Sequence, residues 1–153
     1  MEFRNIYRFV LLITVVVATF VSCSNDDSKN TVDDVSDAVK DGTWKVSYFY
    51  NSGKDETVNY VGYDFTFGGN NVLTATKEAN SYTGMWSVVK STSDNDLFST
   101  IFKVSIGPND FFQDLNRDWK VIENTGTSVK LKDDSKGETA IDYLTFEKNT
   151  PVQ

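Results

Sequence analysis

Gly42-Thr43-Trp44-Lys45-Val46-Ser47-Tyr48-Phe49-Tyr50 is the stretch that decides the fold. Trp44, Val46, Tyr48 and Tyr50 share one parity and alternate with Lys45, Ser47 and Phe49. A period of two marks a strand with one face toward a core, and aromatic and β-branched side chains suit that pleated surface. Asn51-Ser52-Gly53-Lys54-Asp55 then reads as a turn.

Toward the C-terminus the same pattern repeats between turn signals. Thr57 to Phe67 reads as a second strand, with Val61, Tyr63, Phe65 and Phe67 on one face. Gly68-Gly69-Asn70-Asn71 closes it. Val72 to Lys77 is a short strand, and Tyr82, Gly84, Trp86 and Val88 alternate in the next. After a polar loop at 91–96, Leu97 to Ile106 places Phe98, Phe102, Val104 and Ile106 together, and Gly107-Pro108 ends the run. Phe111 to Arg117 loses the alternation and reads as a helical turn. The last strands are Asp118 to Glu123, Ser128 to Lys132 and Thr139 to Glu147. Eight strands with short connections predict an all-β, antiparallel up-and-down barrel over residues 42–150, since eight is the number that closes around a small interior. An open sandwich of the same strands is the competing architecture.

Toward the N-terminus the composition changes twice. Val32, Val35 and Val39 are spaced three then four apart, with Thr31 placed to cap a helix and Gly42 to end it. The competing reading makes all of 23–41 a flexible tether. Upstream, Phe9 to Val21 is an apolar run behind Arg4 and Arg8, shorter than a bilayer span of ~20 residues. It is followed by Ser22 and Cys23, the only cysteine. This resembles the lipobox of bacterial lipoproteins. The resemblance implies a signal peptide over 1–22, acylation of Cys23, and attachment to the membrane through those acyl chains. Ser24-Asn25-Asp26-Asp27 resembles the acidic surface-export signal of Bacteroidota lipoproteins, which implies the outer membrane and its cell-surface face.

Composition excludes much chemistry. The chain has no histidine, which removes Ser-His-Asp and Cys-His catalysis and His-ligated metals. The formal charge is −7, and loss of residues 1–22, with two arginines and one glutamate, makes it −8. An acidic surface argues against nucleic acid as a partner. The expectation is a protein without catalysis, cofactor or metal. Asp94-Asn95-Asp96 and the set Asp110, Asp114, Asn116 and Asp118 are oxygen-rich, but neither has the EF-hand spacing.

Gly42-Thr43-Trp44 also resembles the Gly-x-Trp opening of lipocalins, and the layout over 42–148 is similar to short lipocalin-like domains of Bacteroidota lipoproteins. The resemblance implies that Trp44 plugs the closed end of the barrel. Lipocalins stack an arginine on that tryptophan; Arg117, the only arginine beyond residue 8, precedes the sixth strand and does not match by position. The expected function is binding of a small apolar or amphipathic molecule, lined by Tyr48, Phe65, Trp86, Phe102, Trp119 and Leu144. The alternative is a filled barrel that binds a protein, as an inhibitor or accessory subunit of a surface complex. Asp142 shares the inward parity of Leu144 and Phe146. A lone inward carboxylate is costly unless bonded or wet. The expectation is a wet mouth, with orientation of a ligand or pairing to Lys or Tyr as the alternatives.

Overall fold

The computed structural model describes residues 30–93, 98–107, 110–137 and 140–150. Cys23, the leader and Asp94-Asn95-Asp96 lie outside the described residues. One helix, α1 (Val32–Lys40), precedes β1 (Trp44–Asn51), β2 (Lys54–Asp55), β3 (Asp64–Phe67), β4 (Val72–Lys77), β5 (Asn80–Lys90), β6 (Thr100–Ile106), β7 (Asp118–Asn124), β8 (Ser128–Asp133) and β9 (Asp142–Lys148). Each strand from β3 to β9 pairs antiparallel with the next, and β1 pairs with both β3 and β9. The sheet therefore closes as an eight-stranded barrel, with β2 a short return of the β1 hairpin. Closure, not a sandwich, is the solution adopted. Gly84 makes one close approach possible: a Cβ there would lie 2.1 Å from the Ser105 carbonyl oxygen on β6.

Three expected strands are shorter or turned. Residues 57–60 form a 3-10 turn, and only 64–67 are strand. Gly62, at φ +84°, breaks the extended run between them. The Thr57 hydroxyl also accepts the Phe49 backbone N–H, so the turn sits where a longer strand would pair. Phe98 lies before β6 and is 93% exposed, so it does not share the face of Phe102, Val104 and Ile106. In β1 the register against β9 shifts between Val46 and Tyr48. That β-bulge flips the parity beyond it. Phe49 and Asn51 point inward, whereas Tyr48 is 40% exposed.

The two ends of the barrel are covered differently. At one end α1 lies across the opening with Val35 and Val39 buried. Thr31 caps it by accepting the Asp34 N–H, and Gly42, at φ +81°, turns the chain into β1. Residues 32–41, the ambiguous part of the expected tether, thus belong to the folded domain. Even Asn30 is fixed there: its amide donates to the Ile122 carbonyl at 3.0 Å, and its carbonyl accepts from Thr100 at 2.5 Å. At the other end the β1–β3 and β6–β7 connections fold over the mouth. The second is a 3-10 segment, Asp110–Leu115, that buries Phe112 and Leu115.

Candidate functional site: the barrel interior and its mouth

Of the seven expected ligand-contacting side chains, five face the interior together. Phe65, Phe102, Trp119 and Leu144 are fully buried, and Trp86 nearly so. Tyr48 does not join them, because the bulge turns it outward. There it stacks beside Tyr50, ring centroids 6.4 Å apart. It borders an open groove of about 590 Å³ on the outer face of β8, β9 and β1, with Ile122, Lys130 and Tyr143.

The interior side chains meet one another. Trp86 stacks on Phe102 at 6.1 Å, Phe102 meets Phe67 at 5.3 Å, and Phe67 meets Phe146 at 5.3 Å. Phe146 meets Phe65 at 5.4 Å, and Phe65 meets Phe112 at 6.4 Å under the mouth. Tyr60 and Phe49 continue the series to Trp119. Edge-to-face and offset contacts at these separations are the favoured geometry of packed rings. The interior is a run of aromatic contacts from one end to the other.

Trp44 sits at the helix end, fully buried, and its indole N–H donates to the Val39 carbonyl at 2.9 Å. It ties the plug to the first strand. Arg117 is nowhere near that role: its guanidinium lies over the Trp119 ring, 5.4 Å from the centroid, at the mouth end. Trp119 is oriented by donation to the Leu115 carbonyl at 3.0 Å.

Asp142 is not wet. It is 1% exposed and sits in an ionic network. One carboxylate oxygen accepts the Ser52 N–H at 2.6 Å, which holds Ser52 in its left-handed conformation at φ 50°. The other accepts from Arg117 and from Lys136, the latter at 3.1 Å. Arg117 also reaches Asp133 at 3.4 Å, the side-chain amide oxygen Oδ1 of Asn51 at 2.7 Å and Asp114 at 3.8 Å. Burial pushes the Asp142 carboxyl upward. The Ser52 N–H, Arg117 and Lys136 outweigh that push and hold it below its ordinary value. The network draws on β1, β7, β8 and β9, so Asn51, Arg117 and Asp133 were hidden from strand-by-strand reading. The one usable signal was a single arginine in a domain with one inward carboxylate.

Other oxygen-rich side chains are engaged locally. Asn116 bonds both the N–H and the carbonyl of Ile106, at 2.7 and 2.9 Å. Asp118 pairs with Lys103 at 2.5 Å. Among the described residues no group of three or more acidic or sulfur side chains is arranged to hold a metal ion.

Above the network the mouth carries apolar and acidic groups. Val58 and Val61 are 76% and 59% exposed, and Phe111 is 42% exposed. Phe111 touches the rings of Tyr60 and Tyr63, each at 5.5 Å. Burial, then the carboxylates of Asp114 and Glu56, push the Tyr60 phenol well above its ordinary value.

The chain resembles in fold a crystallised DUF4847 family protein from Bacteroides vulgatus ATCC 8482, with a TM-score of 0.49 and 15% identity over 77% of this chain and 99% of that one. No known family profile and no curated protein matches the sequence.

Proposed function

We propose that this is a lipoprotein, anchored by acyl chains on Cys23 at the outer membrane and facing the cell surface, whose barrel binds a protein partner without catalysis. The filled interior carries this reading. Ligand pockets in proteins are ~300 Å³ or larger and bury most of their ligand. Here Phe65, Phe102, Trp119 and Leu144, the side chains that would line such a pocket, are buried in one apolar core, with Phe65 and Phe102 packed on the Phe146 ring and Trp119 on Phe49. A small apolar ligand would have to displace packed aromatic rings, so the outer surface is where binding belongs.

Titration of tryptophan fluorescence with fatty acids and porphyrins tests the choice. Trp86 and Trp119 are interior reporters, and the expected result is no saturable change. Saturable one-to-one quenching at micromolar ligand would overturn the filled-barrel reading. Attachment is tested by labelled palmitate, expected in the native chain and absent from Cys23→Ala. Exposure is tested by protease treatment of intact cells, which is expected to remove the domain.

A further inference from the structure

We infer that the mouth of the barrel, formed by Val58, Val61 and Phe111 with its acidic rim, docks a basic segment of another protein that presents a bulky apolar side chain. This rests on the protein-binding reading above and names its surface. Three observations carry it. Val58 and Val61 are three residues apart at a 3-10 turn, where side chains of that spacing eclipse on one face. They flank Tyr60, whose ring touches Phe111, so both mouth segments expose apolar side chains over a shared aromatic floor. Val58, Val61 and Phe111 are exposed side by side over that floor, and clustered apolar surfaces of this kind mark interaction sites.

The charge around them chooses the partner. Asp55 and Glu56 precede the first turn, and Asp110 and Asp114 belong to the second. The cations on the same side include Lys54, Lys77, Arg117 and Lys136. Lys77 is held by the Val61 carbonyl at 2.8 Å and lies over the Tyr63 ring, Arg117 is engaged by Asp142, Asp133 and Asp114, and Lys136 is engaged by Asp142. The rim is therefore net acidic and complementary to lysine or arginine. Position agrees. The chain enters the domain at Asn30, against Ile122 and Thr100 at the opposite end, so an N-terminal anchor leaves the mouth directed outward.

The test is selection from a displayed library of random twelve-residue peptides on the detergent-solubilised full chain. The expected winners combine Trp, Phe or Leu with Lys or Arg, and bind more weakly as salt is raised. The Val58→Ser/Val61→Ser double variant should bind them at least ~10-fold more weakly while keeping its thermal midpoint, because both side chains are mostly exposed and such sites contribute little to stability. Asp110→Lys should weaken them several-fold and flatten the salt dependence. Winners that are acidic, or that bind both variants undiminished, would overturn the mouth assignment. So would sedimentation showing that the patch is covered by a second copy. The fluorescence titration separates the two proposals: no interior ligand together with peptides bound elsewhere rejects the mouth alone.

Discussion

The two ends of this barrel solve one problem with opposite chemistry. At the helix end, Val35, Val39 and Trp44 close the opening with apolar contact and one indole hydrogen bond. At the mouth, Phe112 and Leu115 fill the opening, and beside them Arg117, just before β7, bridges Asp133 of β8 and Asp142 of β9, Lys136 adds a second cation to Asp142, and Arg117 bonds the Asn51 side chain of β1. The helix end needs only the right side-chain volumes. The mouth needs several partners present at once, because a buried ion left alone costs more than the pair contributes.

The largest loss is expected at the helix end. Trp44→Ala should destabilise the domain by about 4 kcal/mol, as truncation of a buried aromatic does, read as a lower urea midpoint. Trp44→Phe should cost only about 1 kcal/mol, mainly the bond to Val39. At the mouth, Arg117→Met should cost about 3 kcal/mol by leaving the buried Asp142 with only Lys136 and the Ser52 N–H as partners. Adding Asp142→Leu should recover part of that loss; a double variant weaker than the sum of the singles would show that charge is not what joins these strands.

Acid should discriminate the ends next. The Asp142 carboxyl is held below its unfolded value of about 3.9, so its contribution is complete above that pH and is lost as pH falls through the lower folded value. Urea midpoints measured from pH 6 to pH 3 should fall more steeply for the native chain than for Asp142→Asn. Equal slopes would remove Asp142 from the account. Thr31→Ala should cost as little as Trp44→Phe, about 1 kcal/mol, for loss of the helix cap; its slope with pH should match the native chain.

The helix end was the more legible in sequence. The spacing of Val35 and Val39, the cap at Thr31 and the Gly42-Thr43-Trp44 opening are local signals: of the helix and the tether it is the helix that forms, Thr31 caps it, and Trp44 is buried at the head of β1. The inward set Phe65, Trp86, Phe102, Trp119 and Leu144 was legible for the same reason, since parity within a strand is local. Tyr48 was not, because a bulge adds one residue without changing composition. The stretch 57–63 was misread as strand because its apolar residues keep a plausible parity, while Gly62 and the bond from Phe49 to Thr57 decide otherwise. The mouth network was least legible: Asn51 and Asp142 are far apart in the chain and become neighbours only when the barrel closes.

That closure has a consequence in time. β1 meets β3 through the single registered pair Trp44↔Phe65, whereas it meets β9 from Trp44↔Lys148 to Tyr50↔Tyr143. The first strand to leave the ribosome therefore waits for the last. Until residues 142–148 arrive, β1 has an unpaired edge rich in Tyr, Phe and Trp, the kind of transient edge that invites aggregation. Closing so long a loop makes the final step slow relative to the local hairpins. Folding of this barrel should thus be limited by the return of its C-terminal strand, and a chain truncated before β9 should aggregate instead of forming a smaller barrel.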